Sequence, residues 1–432
     1  MMFSRGWALG VVVGGVLAVS SVAVALNAPH TLHRAKPQPH LSSSRRTATH
    51  RSASRTSKSR AALRTSSAGA RAANTKAGTA LVNGSKATLR KTVIRRRRFY
   101  ERFTASSFAS NGIFAGDNTA GEDPIVRQAA IDALDGMNGT AVVIDPSNGR
   151  VLAMVNQRLA LSPGAEPCST IKLTVALAAL SEGLVTRDTP VQLAGFRMNM
   201  TQALAKSNNL YFEELGRELG FERVRHYANE YGLGELAGYN ITGEQLGIYP
   251  DQAIPQSQGG VGRMCSFGQG VSLTPLQLGA FVAAIANGGT LYYLQHPNSP
   301  DEAAHMTPKV KRTLDIARYV PEIQDGMAGA VEYGTARRLR ASFTQLPVFG
   351  KTGTCSDNGT RFGWFASYSE TPQGNLVTVF FLEGGRPTFG PRAAELTGSF
   401  YKNLWDREYF AQKNTVASTA TPVETGTTAA SQ

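Results

Sequence analysis

Between His30 and Arg98 the chain has no aspartate and no glutamate, yet this stretch holds 18 of its 45 lysines and arginines. That imbalance accounts for the formal net charge of +14. From Phe99 onward the sequence is mildly acidic. The basic character therefore belongs to one segment and does not mark the rest as a nucleic-acid binder. Cysteine is scarce as well: Cys168, Cys265 and Cys355 are the only three. This excludes a disulfide-built scaffold and leaves at least one thiol without an intrachain partner. No C-x-x-C pair occurs and the seven histidines show no metal-ligand spacing. No structural zinc, other metal or organic cofactor is implied.

With 432 residues, 42% of them hydrophobic, the chain has room for one large domain plus non-globular segments. Trp7 to Leu26 is a single apolar run, WALGVVVGGVLAVSSVAVAL, long enough to span a bilayer as a helix. Its length favours an uncleaved signal-anchor over residues 1–28. Ala23-Val24-Ala25 keeps open a cleaved signal peptide. The basic flank follows the run, which the positive-inside rule would hold in the cytoplasm, against export. Residues 29–122 read as a basic disordered tether, self-repelling and extended. It serves either as a solvated spacer or as a segment that clings to anionic lipid or acidic polymers. Residues 412–432 read as a second disordered tail.

The folded part is expected over 123–411. Asp123-Pro124 opens a helix, with Val126, Ala129, Ala130, Ala133, Leu134 and Met137 at helical spacing and Gly139 after its end. TAVVIDPSNGRVLAMV then reads as a hairpin around Asp145 to Gly149. Helical patterning dominates from Ser169 to Ala286. Strand signals return at PVFGKTGT, FGWFASY and LVTVFFLEG, and a helix near Glu395 to Trp405 closes the domain. Strands at both ends with helices between define an α+β fold: an antiparallel sheet of N- and C-terminal strands flanked by helices, with an all-helical subdomain.

Three short motifs follow one another in this frame: Ser169-Thr-Ile-Lys172, Ser207-Asn208-Asn209 and Lys351-Thr352-Gly353-Thr354. Ser169 opens a strong helical run ended by Gly183, so unpaired backbone N–H groups and the helix dipole favour negative charge beside it. Lys172 lies one turn on, on the same face. A serine hydroxyl needs a base to become a nucleophile, and a buried lysine can be that base. Ser207 is placed to pass a proton between Lys172 and a leaving group, and Asn209 to orient a substrate peptide bond. Lys351 brings positive charge, and the Thr352 and Thr354 hydroxyls can hold a substrate carboxylate. Gly353 lets a substrate approach the strand closely. The backbone N–H groups of Ser169 and Thr354 are the expected oxyanion donors. Each motif alone has a plainer reading: a capped helix with a surface lysine, a cap before the next helix, an edge strand.

In order and context the three motifs resemble the penicillin-binding transpeptidase family. The resemblance extends to the hairpin GTAVVIDPSNGRVLAMVN, to FGQGVSLTPLQLGAFVAAIANGG, to DGMAGAVEYGTARRL and to FGWFASY, covering Asp123 to Trp405. It implies the serine β-lactamase/transpeptidase-like fold. It also implies D,D-transpeptidase or D,D-carboxypeptidase activity on the D-Ala-D-Ala end of peptidoglycan stem peptides, through an acyl-enzyme on Ser169. By the same resemblance β-lactam antibiotics bind covalently, and other proteins of cell-wall synthesis are partners. Export of the catalytic domain on a single-pass anchor in the cytoplasmic membrane fits this expectation. Nucleic acid is not an expected partner. The family usually has glycine where Cys168 stands, and Cys355 follows Thr354 directly. In the family fold those two motifs line one cleft, so Cys168 and Cys355 are expected close enough to pair. The stretch before Asp123 is expected to hold neither a glycosyltransferase domain nor a large non-catalytic module.

Two other readings stay open. A serine β-lactamase of class A would need a deacylating glutamate between the second and third motifs, where Glu235 and Glu244 lie. A non-catalytic β-lactam sensor or wall-binding scaffold would need no intact motif set.

Overall fold

The computed structural model describes residues 102–110 and 112–411. The expected membrane anchor, the tether up to residue 101 and the tail lie outside the described residues. Among the described residues no helix is long and apolar enough to cross a membrane.

Helix α1, Pro124–Leu134, starts where the sequence signals it. The Asp123 carboxylate accepts from the Ile125 and Val126 amides, and proline occupies the first turn. Its stop differs from the expectation. Asp135 and Gly136 turn the chain with left-handed φ values of 49° and 67°, and Gly139 instead opens strand β1, Gly139–Asp145. A Cβ on Gly139 would lie 2.7 Å from the Phe381 carbonyl oxygen, so the glycine there answers a close approach rather than a helix end.

Strand β1 pairs antiparallel with β2, Arg150–Val155, across a turn in which Asp145 accepts from the Ser147 amide. The remaining strands come from the other end of the chain: β3, Val348–Asp357; β4, Thr360–Thr371; β5, Gly374–Gly384. The sheet order is β2-β1-β5-β4-β3, antiparallel throughout, with β3 at an edge. Along β1 alternate residues enter two different cores, as a period of two dictates. Val142 and Ile144 face the helical region, while Ala141 and Val143 face α1 and the last helix. The sheet is thus buried on both faces, and the architecture is α+β with helices on either side.

The helical region supplies α2, Lys172–Ser181; α3, Met200–Lys206; α4, Asn209–Glu230; α5, Gly260–Phe267; and α6, Pro275–Ala286. Nine consecutive residues from Lys172 to Leu180 are buried in α2, so it is a central helix and not an amphipathic surface one. Helix α6 carries a full capping box between Thr274 and Gln277. Helix α7, Val320–Glu332, leads into β3. The closing helix α8, Gly390–Asp406, starts five residues earlier than its sequence pattern suggested, with proline in its first turn.

The expected boundary at residue 123 moves upstream. Asp117 accepts from the Asn156 and Gln157 amides and pairs with Arg127, whose other partner is Glu122. Ser107 accepts from the Gly385 amide. Residues 102–110 and 112–122 therefore dock on the domain. Hydrogen bonds and ion pairs anchor them, together with Phe114, which packs on the core beneath α1.

Candidate active site

Ser169 sits in a 3-10 turn, Cys168–Ile171, that runs directly into α2. It thus precedes the α-helix by one tight turn rather than starting it. Thr170 holds the turn by donating both its amide and its hydroxyl to the Pro167 carbonyl. Gly353 on β3 lies against the same carbonyl: a Cβ there would be 2.8 Å from the Pro167 oxygen. The glycine expected to admit a substrate also admits the nucleophile's own turn.

Cys168 has φ 52°, in the left-handed region. A non-glycine residue there costs about 1–2 kcal/mol, and a glycine would meet it without strain. Here the Cys168 side chain forms a disulfide with Cys355, with Cα atoms 5.6 Å apart, inside the reach of such a bond. The third cysteine, Cys265, is a buried free thiol.

Lys172 is fully buried, while Ser169 is partly exposed. The Lys172 Nζ lies 2.6 Å from Ser169 Oγ, 2.8 Å from Asn209 Oδ1 and 2.7 Å from the Ser266 carbonyl oxygen. Two of these three partners can only accept. They fix two N–H bonds, so a neutral amine would aim its lone pair at Ser169 Oγ. Burial pushes the Lys172 ammonium well below its ordinary range, and the charge of Lys351 pushes the same way; Glu213 pulls back, and Arg263 adds a smaller push down. The rings of Phe212 and Phe267 wall the amine at 5.7 and 5.8 Å.

The second motif occupies the break between α3 and α4. Ser207 has left-handed φ and closes α3, while Asn208 caps α4 by accepting from the Tyr211 amide. The capping role belongs to the middle residue, which leaves its neighbours to the site. The expected link from Ser207 to Lys172 is not formed. Ser207 Oγ instead accepts from Lys351 Nζ at 2.7 Å. Asn209, expected on a substrate peptide bond, accepts from Lys172 Nζ with its Oδ1. Lys351 is fully buried, and burial pushes its ammonium down to about 7.

Thr352 and Thr354 both have their hydroxyls oriented by the protein. Thr352 Oγ1 shares a 2.6 Å hydrogen bond with Thr335 Oγ1. Thr354 Oγ1 accepts from the Gly390 amide at the start of α8, and a hydroxyl so held retains its own proton to donate. The structure thus brings Ser169, Lys172, Ser207, Asn209 and the edge strand carrying Lys351 to Thr354 together. The Ser266 carbonyl, Phe267, Thr335 and the Gly390 amide join them without having been singled out in the sequence. Phe267 and Thr335 lie inside the FGQG and YGTARRL segments. Main-chain groups carry no sequence signature.

Neither glutamate considered for deacylation serves this site. Glu235 pairs with Lys311 and with Arg312, and Glu244 accepts from the Ala237 and Gly238 amides.

The family model described as penicillin binding protein transpeptidase domain matches residues 139–402. Among curated relatives, stage V sporulation protein D of Bacillus subtilis is 30% identical over 323 residues, 62% of this chain and 49% of that protein. Peptidoglycan D,D-transpeptidase MrdA of Escherichia coli K12 is 25% identical over 285 residues, 58% of this chain and 43% of that protein. This chain spans about half, or less, of the curated relatives it matches. In three dimensions it matches Pseudomonas aeruginosa PBP2 in complex with WCK 5153 with a TM-score of 0.56 and 24% identity, covering 66% of this chain and 74% of that one. That likeness is one of fold.

Proposed function

The chain belongs to the penicillin-binding protein transpeptidase family, and from that premise we propose that it is a serine D,D-transpeptidase of the cell wall that works through an acyl-enzyme on Ser169. Neutral Lys172 takes the Ser169 proton as Oγ attacks the carbonyl carbon of the penultimate D-Ala of a stem peptide. The new oxyanion is met by the backbone N–H groups of Ser169 and Thr354. Lys351 and the Thr352 and Thr354 hydroxyls hold the terminal carboxylate, and Ser207, fixed by Lys351, gives its proton to the departing amine. The amine of a neighbouring stem then attacks the ester carbon and gives up a proton to Ser207, Lys172 returns its proton to the departing Ser169 Oγ, and the new amide is the cross-link. A β-lactam enters by the same first step and stays as a stable ester.

One observation carries this reading: Lys172 Nζ, buried and held by the Asn209 and Ser266 oxygens, meets Ser169 Oγ at 2.6 Å. Engagement of Glu235 and Glu244 elsewhere removes support from the β-lactamase alternative. The apolar run before residue 28 supports a single-pass anchor in the cytoplasmic membrane with the catalytic domain outside. The Cys168–Cys355 disulfide supports an oxidising, extracytoplasmic setting. Incubation with a fluorescent penicillin followed by intact mass analysis tests the proposal. The wild-type chain gains one lasting adduct and Ser169→Ala gains none. Equal labelling of both would overturn it.

A further inference from the structure

Helix α4 turns two successive rungs toward the catalytic base. Asn209 accepts from Lys172 Nζ, and Glu213 follows it four residues on, on the same face. The Glu213 side chain is only 20% exposed. Its Oε1 lies 3.3 Å from the Ser266 hydroxyl, and the carbonyl of that same serine accepts from Lys172 Nζ at 2.7 Å. The hydroxyl has a second acceptor in reach, the Arg263 carbonyl at 3.4 Å, but a carboxylate is the stronger acceptor. Gly262 lets the two helices close on each other: a Cβ there would lie 3.2 Å from the Glu213 carbonyl oxygen. Ser266 stands in the last turn of α5, where carbonyls lack helical partners and the helix dipole is negative. On its outer side the Glu213 Oε2 meets Arg217 at 3.3 Å, a half-exposed guanidinium that also pairs with Glu214.

Acylation creates a charge that the resting site does not hold. The Ser169 proton passes to Lys172 Nζ as the bond from Oγ to the carbonyl carbon forms. The carbonyl π electrons move to its oxygen, and a buried neutral amine becomes a buried ammonium. The oxyanion has its backbone donors. The ammonium faces Lys351 on β3 and Arg263 on α5, both of its own sign, and two neutral carbonyl oxygens, those of Asn209 and Ser266. A buried charge met by dipoles and like charges alone is costly. Among the described residues Lys172 forms no ion pair, and Glu213 is the anion whose field acts on it. We propose that Glu213 is a positioning residue for the acylation step: anchored through Ser266 to the end of α5 that holds Lys172, its carboxylate is the countercharge for the ammonium formed as Ser169 attacks. Acting without direct contact, it leaves the resting amine free to take the proton. The inference rests on the proposed reaction, in which Lys172 is the base.

The pH dependence of acylation by a chromogenic cephalosporin, followed by stopped-flow on the full chain, tests this. Glu213→Gln keeps the shape of the side chain and removes its charge. Without the countercharge the Lys172 ammonium loses its proton more readily, so the acid limb of the profile should move to lower pH. The same change makes Lys172 a weaker base, so the rate constant at the top of the profile should fall about three- to tenfold. Damage to packing alone would lower the rate and leave the limb in place. Glu213→Asp, which keeps the charge, should bring the limb back toward its wild-type position. A limb that stays put in Glu213→Gln, that moves to higher pH, or that moves equally in the Gln and Asp variants would overturn the inference. Labelling by fluorescent penicillin separates this failure from failure of the reaction itself. Equal labelling of wild type and Ser169→Ala sinks the reaction. Labelling of the wild type alone, with an unmoved limb in Glu213→Gln, sinks only the role of Glu213.

Discussion

In the proposed reaction two buried lysines within one site have opposite duties: Lys172 is neutral to take a proton, and Lys351 is charged to hold a carboxylate. The charge on Lys351 helps to keep Lys172 neutral, because it lowers the Lys172 ammonium further than burial alone. Both folded values lie below the ordinary lysine range. Raising the pH frees Lys172, whose ammonium is held well below its ordinary range, and discharges Lys351 through about 7. The rate constant for acylation of free enzyme by penicillin should therefore follow a bell, with its alkaline limb set by Lys351. Lys351→Arg, which keeps its charge, should flatten that limb. An alkaline limb unmoved in the variant would show that another group sets it. Lys172→Met removes the base, and the acylation rate should fall about 10²–10⁴-fold, measured by stopped-flow with a chromogenic cephalosporin. Much of this site was legible at the residue scale, because Ser169 and Lys172 are coupled by helical spacing within one turn. The partner of Ser207 was not legible. Whether it meets Lys172 or Lys351 depends on where β3 lies against the loop between α3 and α4, and no local pattern encodes that distance.

At the scale of elements, the nucleophile's turn is held between β3 and β4. Trp364 on β4 is fully buried, stacks on Phe381 with ring centroids 3.9 Å apart, and donates its Nε1–H to the Glu166 carbonyl at 3.0 Å. Trp364→Ala should cost about 3–5 kcal/mol of stability, read by denaturant unfolding. It should also slow acylation more than Trp364→Phe, which keeps one aromatic ring and loses the hydrogen bond and part of the indole volume. The disulfide fixes the same turn to β3. The pair Cys168→Gly with Cys355→Ser should retain more acylation rate than Cys168→Ala with Cys355→Ser, since only glycine meets the left-handed φ of 52° freely. Equal rates would show that the backbone there has relaxed. Period-two alternation made the strands readable, and helix capping made the start of α1 readable. The end of α1 was misread because Gly139 has the look of a helix stop, while its actual constraint comes from β5, far along the sequence.

At the scale of the whole molecule, residues 102–411 hold every group assigned to the chemistry. A chain reduced to that range should be acylated at a rate within about twofold of the full chain, because the charges of the basic segment are screened by salt. A much slower rate in moderate salt would give that segment a part in catalysis. Composition separates the basic stretch from the mildly acidic remainder. It did not show that 102–122 docks on the domain, because Ser107, Asp117 and Glu122 are ordinary polar residues until their partners are known.

The bond between Cys168 and Cys355 joins positions 187 residues apart, and so turns the chain between them into a covalent ring. That ring contains α2 to α7 and the first part of β3. A protease that cuts once inside it opens the ring without releasing a fragment. The nicked protein should run as one species on a non-reducing gel and as two after a thiol reductant. A single cut outside the ring should give two species either way. The map of which cuts require reduction for separation would trace the ring along the sequence.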